Sequence, residues 1–348
     1  MAEQTKVILS VIIPSYNRKD EIQELLTSLD AQDLDKDQFE VVVVDDGSTD
    51  GTDGWIYDFS KTSDLDLSFI RQNHQGPGAA RNLGMQTAKG DVFVFIDSDC
   101  LAPSNWLSLI AKTFAEDPQV QAFGGRDDAL ADFPPLLLAI NYSMTSFLTT
   151  GGMRGGAKKR LAKFYPRSFN MGLHRNLYEQ IGGFGTLRHG QDIEFSNRII
   201  KSGATVAYLP ESVVYHKRRT SLRKFFRQVF NWGVARINLF KIDSKMLEPL
   251  HIAPALGFWF IVALTFWALI FPAVFAIWKL LAMIALSAII LSAVHAAIKW
   301  KNIKAGLLVP IVMPIQIVAY GLGFSIAFCR RVLLGEGEFT GFVKKYYR

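Results

Sequence analysis

The stretch VVVVDDGSTDGT, residues 41–52, leads four consecutive valines into two aspartates and a glycine turn. A second stretch, VFVFIDSDC at residues 92–100, has the same design and ends with Asp97 and Asp99 one residue apart. Short apolar runs that stop at turn residues are typical of strands buried on both faces. The two stretches therefore predict two buried strands that each end in paired carboxylates.

Strand-like and helix-like segments alternate around these two stretches. The apolar run at residues 7–13 precedes a segment with helical spacing of its apolar residues, and the glycine-led helical segment 76–88 precedes the second buried strand. This alternation predicts an α/β fold, a Rossmann-like and mostly parallel sheet flanked by helices. Because ligands bind beyond the carboxyl ends of parallel strands, both aspartate pairs are expected at one edge of the sheet.

Composition divides the chain in two. It has 348 residues with a net charge of +6, and charged residues become rare beyond Lys245. Three apolar segments follow, at residues 255–278, 280–298 and 307–329, each near the ~20 residues with which a helix crosses a bilayer. We therefore predict a globular part followed by a membrane region. The positive charge is typical of the basic flanks of a membrane protein, and no nucleic-acid partner is expected.

The predicted domain organisation follows from this division. Residues 1–220 form the α/β domain, 221–250 an amphipathic interfacial helix or linker, 251–330 a membrane region of about three spans, and 331–348 a basic tail. The mixture of basic and aromatic residues at 221–241 fits either a helix in the membrane interface or a surface helix packed on the domain. No signal peptide is recognisable, so the domain is expected in the cytosol, at the inner (cytoplasmic) membrane.

The number of complete spans and the side of the C-terminus stay open at this point. Three crossings from a cytosolic domain place the tail outside, whereas its arginines and lysines favour the cytosolic side. A kinked or re-entrant segment at Pro272, Pro310 or Pro314 would reconcile the two.

Paired carboxylates at strand ends suit two tasks. They bind a divalent cation such as Mg²⁺ or Mn²⁺, which prefers oxygen ligands and keeps positions open for phosphate. They also accept hydrogen bonds from a sugar or a base. The spacing of Asp97 and Asp99 alone is equally compatible with ordinary turn chemistry. The order of several motifs along the chain is more informative than either pair.

Six motifs follow one another in order: SVIIPSYNR, VVVVDDGSTDGT, GPGAARNLG, VFIDSDC, FNMGLHRNLYEQIGGF and GQDIEF. In this order, over about residues 7–232, the sequence resembles the family 2 glycosyltransferases, which have the GT-A fold. The resemblance implies a domain that binds a UDP- or GDP-linked sugar together with Mg²⁺ or Mn²⁺. By the same resemblance, Pro14, Ser15 and Tyr16 line the base pocket, and Asp46, assisted by Asp45, contacts the base or the ribose.

The resemblance also assigns residues to the phosphate side of the donor. Arg81 is implied to lie near the nucleotide, and Asp97 and Asp99 to form the D-x-D pair, with Asp99 as the metal ligand. Elementary chemistry agrees with this assignment. The departing diphosphate leaves negative charge, which a bound divalent cation stabilises as a Lewis acid.

Transfer without a covalent intermediate also needs a general base near the attacking hydroxyl. The GQDIEF motif offers Asp192 and Glu194, and Gln191 replaces the acidic residue that usually precedes the aspartate in the family. We choose Asp192 as the base and expect Glu194 on the exterior of the helix. The alternative for Asp192 is a structural role as a helix N-cap.

The segment VVYHKRRTS carries further candidates. His216 follows a strand-like run, so it is either a metal ligand or a satisfied, half-buried histidine. Arg218 and Arg219 are candidates to bind the diphosphate of the donor, since arginine matches phosphate geometry. For one of the two arginines, attraction to anionic lipid is the favoured alternative.

The segment QVFNW resembles the Q-x-x-R-W motif of processive polysaccharide synthases, but Asn231 replaces the arginine. This departure and the small number of spans argue against a polymer-conducting pore. Trp232 remains a candidate to stack on an acceptor sugar.

Together these features predict a membrane-anchored, inverting glycosyltransferase that acts on a hydroxyl of a lipid-linked or glycan acceptor. The alternatives are a polyprenyl-phosphate glycosyltransferase, whose ionised acceptor needs no base, and a processive synthase. A degenerate membrane scaffold and a nucleotidyltransferase are rivals of other classes. The intact motifs argue against the scaffold, and PSYNRKDE in place of a glycine-rich loop argues against the nucleotidyltransferase.

Overall fold

The computed structural model describes residues 8–150, 164–217 and 221–342. Contacts divide these residues into two compact units. The first, here called the sheet unit, comprises residues 8–128 and 164–217. The second, the helical unit, comprises residues 129–150 and 221–342.

The sheet unit alternates strands with helices, as predicted. Its strands are β1 Leu9–Ser15, β2 Phe39–Asp45, β3 Leu67–Arg71, β4 Val92–Phe95, β5 Cys100–Leu101, β6 Val120–Asp128, β7 Met171–His174 and β8 Thr205–His216. Its helices are α1 Lys19–Asp30, α2 Thr52–Phe59, α3 Pro77–Thr87, α4 Trp106–Glu116, α7 Arg175–Ile181 and α8 Gln191–Lys201.

The eight strands form one sheet in the order β3-β2-β1-β4-β7-β6-β8-β5. Strands β3, β2, β1 and β4 are parallel to one another, and β6 is parallel to β8. Strand β7 runs antiparallel to both β4 and β6, and the short β5 runs antiparallel to β8. The predicted α/β fold is confirmed, with a parallel half and a mixed half in the sheet.

Both faces of the parallel half are covered, which explains its continuous apolar runs. In β2, Val41 and Val43 belong to one hydrophobic cluster, while Val42 and Val44 belong to another. All seven residues of β1 and of β2 are buried. Neither strand can therefore shift its register by one residue without exchanging one packed face for the other.

Strand pairing fixes where the carboxylates lie. Ser15, the last residue of β1, pairs with Asp45, the last residue of β2. Strand β4 lies on the other side of β1 and runs in the same direction, so Asp97 follows its carboxyl end. The aspartates of the two stretches thus lie at one edge of the sheet, as predicted, and we call it the ligand edge.

The helical unit contains α5 Pro135–Thr145, α6 Phe147–Thr150, α9 Leu222–Ile242, α10 Pro249–Ala268, α11 Pro272–Trp300 and α12 Ile303–Phe328. Among the described residues, three helices are long and apolar enough to cross a membrane, over Pro249–Ala268, Pro272–Trp300 and Ile303–Leu333. Three such segments were predicted, but the limits of the first were wrong.

The first apolar helix ends at Ala268, and Pro272 opens the next helix instead of kinking the first. Proline suits the first turn of a helix because its missing N–H would have no partner there. Trp278 consequently belongs to the second helix. Pro310 and Pro314 both lie inside α12.

Helix α9 contains the amphipathic segment, and its apolar face is covered by α12. Phe225 and Val229 are fully buried in the cluster that joins the two helices. The backbones approach closely at Gly233 of α9 and Gly323 of α12. A Cβ atom at Gly233 would lie 2.5 Å from the backbone nitrogen of Phe324, closer than real Cβ contacts.

This close approach predicts that Gly233→Ala destabilises the helical unit by about 1–3 kcal/mol, the usual cost of overpacking. The matched control is Gly257→Ala in α10, where an added Cβ meets no described atom within 4 Å. Alanine favours a helix over glycine, so the control should keep or slightly raise stability. Thermal unfolding of both variants in detergent is the measurement, and equal melting temperatures would contradict the packing.

Candidate active site

The aspartate turn after β2 is built around the buried Asp45. Its Oδ2 accepts a hydrogen bond from the backbone N–H of Ser48 at 3.0 Å, and Nε of Arg71 lies 3.6 Å from the same oxygen. Gly47 adopts a φ of 85°, a left-handed conformation that glycine permits without strain. The sequence Asp-Asp-Gly-Ser therefore makes a tight turn directly at the ligand edge.

Asp46 is the anchor of the segment at residues 72–76. Its Oδ1 accepts from Nε2 of Gln72 at 2.7 Å and from the backbone N–H of Gln75 at 2.7 Å. Its Oδ2 accepts from the backbone N–H of Gly76 at 2.8 Å, and Nδ1 of His74 lies 2.8 Å from the same oxygen. The carboxylate is 3% exposed, so these donors replace the water that it loses.

The predicted base-pocket residues lie at the end of β1. Pro14 and Ser15 are buried, whereas Tyr16 is 43% exposed. The ring of Tyr16 stacks on His74, with centroids 4.1 Å apart and planes inclined by 26°. An aromatic ring next to a buried carboxylate is suited to hold a flat heterocycle.

Arg81 and Asp97 form an ion pair across the ligand edge. Nη2 of Arg81, on α3, lies 2.5 Å from Oδ1 of Asp97. The arginine is 5% exposed and its guanidinium also faces the ring of Phe184 at 5.3 Å. Arg81 thus holds Asp97 in place at the ligand edge, and its guanidinium is a group whose geometry matches phosphate.

Asp99 is the centre of a second cluster. The antiparallel pairing of β5 with β8 places Cys100 opposite His216, so the histidine faces the D-x-D turn. Nε2 of His216 lies 3.1 Å from Oδ1 of Asp99, and its Nδ1 lies 3.7 Å from Oδ2 of Asp127. The cluster therefore joins strands β5, β6 and β8.

Arg18 extends this cluster on its open side. Its Nη2 lies 3.8 Å from Oδ2 of Asp99, and its Nη1 contacts Glu21 at 2.5 Å. Burial opposes a charged guanidinium, but the negative charges of Asp99 and Glu21 outweigh burial and raise the pKa of Arg18. Arg18 is thus a permanent cation beside the candidate metal ligands.

The donor atoms around Asp99 fit a divalent cation. Ligand atoms of Asp99, Cys100 and His216 all lie within 4.8 Å of one another. A carboxylate and an imidazole are both ligands that Mn²⁺ accepts, and the carboxylate also suits Mg²⁺. The structure thus brings together Asp99 and His216, the two residues that the sequence predicts as metal ligands.

Asp192 lies in the first turn of α8, where the N-cap residue is Gly190. The alternative of an N-cap role for Asp192 is therefore wrong. Its Oδ2 lies 3.3 Å from Nη1 of Arg167, and its side chain is 23% exposed. Glu194 is not turned freely outward, because Arg198 pairs with it at 2.7 Å.

Two predicted residues, Arg218 and Arg219, fall outside the described residues. A third, Trp232, belongs to α9, where it is half-buried against the hydrophobic core of the helical unit.

Sequence reasoning missed four residues of this region, namely Arg18, His74, Asp127 and Arg167. Arg18 is the last residue of the SVIIPSYNR motif and His74 lies just before the GPGAARNLG motif, but nothing in their spacing indicates which residues they contact. Asp127 and Arg167 reach the site through the pairing of β6 and through a loop before β7. Contacts of this kind depend on tertiary structure, so only an alignment of relatives could have indicated them.

Comparison of the sequence with models of protein families finds two matches. The model of glycosyl transferase family 2 matches residues 10–182, and that of glycosyl transferase family 21 matches residues 156–330. Both models describe enzymes of the glycosyltransferase class. The chain belongs to the family 2 glycosyltransferases with the GT-A fold, and it carries three candidate membrane-spanning helices towards its C-terminus.

Several relatives share most of the chain. Glycosyltransferase AglE of Haloferax volcanii is 28% identical over 259 residues, 74% of this chain and 81% of the relative. The O-antigen chain rhamnosyltransferase RfbN of Salmonella typhimurium is 29% identical over 65% of this chain and 71% of its own. A Methanococcus voltae enzyme, dolichyl N-acetyl-alpha-D-glucosaminyl phosphate 3-beta-D-2,3-diacetamido-2,3-dideoxy-beta-D-glucuronosyltransferase, is 25% identical over 66% and 72%.

One solved structure supports the fold. The mannosyltransferase PcManGT from Pyrobaculum calidifontis, solved in complex with GDP-Man and Mn²⁺, aligns with a TM-score of 0.56. The alignment covers 95% of this chain and 88% of the other, at 22% sequence identity. At this identity the likeness establishes the fold alone.

Asp50, at the end of the aspartate turn, links this turn to the start of helix α1 by hydrogen bonds, and its substitution tests how much they stabilise the fold. Its carboxylate accepts from the backbone N–H of Lys19, the first residue of α1, at 2.9 Å and from the hydroxyl of Thr52 at 2.6 Å. Burial opposes ionisation, but these hydrogen bonds outweigh it and lower the pKa of Asp50 below its usual value.

We expect Asp50→Ala to cost about 1 kcal/mol of unfolding free energy at pH 7, as for the loss of a helix cap. Because the folded-state pKa is lowered, this contribution is complete above the ordinary pKa, about 4, and is lost as the pH falls through the lowered value. Denaturant unfolding between pH 7 and pH 3 measures it. Asp58→Ala, on the exposed face of α2, is the control. If wild type and Asp50→Ala still differed by the same unfolding free energy in acid, the stabilising role of the ionised Asp50 carboxylate would be contradicted.

Proposed function

We propose that this protein is a membrane-anchored, metal-dependent and inverting glycosyltransferase. It moves a sugar from a UDP- or GDP-linked donor to a hydroxyl of a lipid-linked or glycan acceptor. The observation that carries the proposal is the convergence of Asp99 and His216 next to the Arg81–Asp97 pair at the ligand edge. Such a grouping supplies ligands for a cation and a guanidinium suited to contact the leaving diphosphate.

In this proposal the chain binds the donor at two ends. Tyr16 and the turn at Asp45 and Asp46 hold the base and the ribose, and Arg81 holds the phosphate side together with Asp97. Asp99 and His216 hold Mg²⁺ or Mn²⁺, which when bound supplies Lewis-acid stabilisation of the leaving diphosphate. The complex of PcManGT with GDP-Man and Mn²⁺ is consistent with a nucleotide-sugar and a divalent metal at this fold.

Asp192 takes the proton of the acceptor hydroxyl. The first turn of α8 lies against α3, since a Cβ at Gly78 would lie 2.7 Å from the side chain of Gln191. Asp192 therefore belongs to the same edge of the sheet unit as Arg81. The contact with Arg167 orients its carboxylate, and the partial exposure of the side chain leaves room for an acceptor.

The acceptor side of the proposal rests on the helical unit and on relatives. Three helices apolar enough to span a bilayer suit an enzyme that meets a lipid-linked substrate at the cytoplasmic face of the inner membrane. The name of the Methanococcus voltae relative specifies addition to a sugar carried by dolichyl phosphate. In our proposal Trp232 contacts the acceptor sugar, and Arg218 and Arg219 assist the diphosphate.

The proposed metal site is tested by the substitution Asp99→Asn. We expect Mn²⁺-dependent binding of UDP or GDP to weaken at least tenfold and transfer to be abolished, because a neutral amide is a poor ligand for a hard cation. Isothermal titration with and without Mn²⁺ gives the affinity, and product formation gives the rate. Asp58→Asn, whose carboxylate is exposed on α2, is the matched control. Full wild-type activity in excess EDTA would disprove metal dependence.

The base is tested by Asp192→Asn with Glu194→Gln as the matched control in the same helical turn. Removing a general base typically costs about 10²–10⁴-fold in kcat, whereas donor binding does not need it. We therefore expect Asp192→Asn to lose turnover while keeping nucleotide affinity, and Glu194→Gln to keep turnover. Near-normal transfer by Asp192→Asn would reject it as the base and favour a polyprenyl-phosphate acceptor, which is already ionised.

A further inference from the structure

The ring of His74 makes two contacts that merit a functional explanation. One face of the imidazole stacks on Tyr16, with the ring centroids 4.1 Å apart. Its Nδ1 lies 2.8 Å from Oδ2 of Asp46 and 3.3 Å from the carbonyl oxygen of the same residue. Both neighbours of Nδ1 are acceptors, so this nitrogen carries the proton and donates it.

A nucleobase bound in this pocket would make the same two contacts. It would lay its flat face on Tyr16 and donate a ring N–H to the carboxylate of Asp46. We propose that His74 occupies the position of the nucleobase in the donor-free protein, so that the base must displace the imidazole to bind. This inference rests on the proposed function, because it assumes that a nucleotide-sugar binds at the ligand edge.

The hydrogen bonds of Asp46 make the two occupants mutually exclusive. A carboxylate offers about four lone-pair positions. Three of them are taken by Gln72, Gln75 and Gly76, whose donors hold the segment at residues 72–76 in place. The fourth position faces His74. An incoming base can therefore reach Asp46 only where the imidazole now donates.

The imidazole lies at the surface of the sheet unit. His74 and Tyr16 are about equally exposed, at 42% and 43%, so the ring can rotate into solvent. The backbone on either side stays attached, because the N–H of Gln72 remains bound to the carbonyl oxygen of Asp45, and the N–H groups of Gln75 and Gly76 remain bound to Asp46. Donor binding thus replaces one stacked ring by another and leaves the turn intact.

The same geometry defines the class of base. A base with a ring N–H takes over the hydrogen bond of the His74 imidazole at Asp46 most directly. Uracil and guanine carry such an N–H, whereas adenine and cytosine present an unprotonated ring nitrogen there and can donate to Asp46 only through an exocyclic amino group. The site therefore suits UDP- or GDP-linked donors. Because the base must first displace His74, the cost of this displacement lowers the affinity for the donor.

The test compares two variants of the full-length protein in detergent with Mn²⁺. His74→Ala removes the ring, and His74→Phe keeps a ring on Tyr16 that cannot donate to Asp46. The probes are UDP and GDP, with inorganic pyrophosphate as a ligand that lacks a base. We expect His74→Ala to bind UDP or GDP about two- to tenfold more tightly than wild type, the range that one aromatic pair represents.

Under the proposal, His74→Phe gains no affinity for the nucleotides, and pyrophosphate binds wild type and both variants equally. Weaker nucleotide binding by His74→Ala would overturn the proposal and make His74 a wall of the pocket. Unchanged binding by His74→Ala would overturn it as well. If wild type binds pyrophosphate but neither nucleotide, the base-pocket assignment fails. If it binds none of the three probes, the proposed function itself fails, and the inference falls with it.

Discussion

Burying a carboxylate at a strand end costs free energy, and the ligand edge of the sheet unit is organised around the hydrogen bonds that offset this cost. Asp45 and Asp46 are almost fully buried, and a buried charge persists only when donors replace its hydration. The turn at residues 46–48 and the segment at residues 72–76 provide those donors from the backbone and from Gln72. Parallel pairing of β1 with β2 then places these organised carboxylates beside Ser15. The shape of the ligand edge is thus a consequence of the hydrogen bonds that these two buried carboxylates accept.

The second aspartate pair, Asp97 and Asp99, has side-chain partners of a different kind. Asp97 has a partner suited to a structural role, whereas Asp99 has partners suited to a binding site. Asp97 is neutralised by the buried Arg81, which gives the edge a fixed internal ion pair. Asp99 instead faces the imidazole of His216, which is 16% exposed, and the guanidinium of Arg18, which is 34% exposed. A partly exposed partner such as Arg18 can exchange for a ligand at lower cost than a buried partner. An exchangeable partner is what a cation or phosphate site needs.

The helical unit follows another principle. Its helices pack through small residues, as at Gly233 and Gly323, and some of its polar side chains find partners inside the unit. Ser143 donates to Gln316 at 2.7 Å, and the hydroxyl of Tyr142 lies 2.9 Å from Nδ1 of His295. Polar groups without water must be paired within the protein. Helices α10 and α11 leave most of their apolar side chains exposed, the composition expected of a surface that meets lipid.

The sequence by itself determined the α/β class, the ligand edge with its two aspartate pairs, the family and the three apolar helices. These features depend on local periodicity and on residue types at turns, which a single chain displays directly. Tertiary structure alone decided that β7 enters the sheet antiparallel, that Pro272 begins a helix, and that residues 129–150 pack with the helical unit. It also decided the partners of each functional side chain: His216 for Asp99, Arg167 for Asp192, and His74 for Tyr16 and Asp46. Contacts between residues far apart in the chain follow from strand order and packing, and no local pattern encodes them.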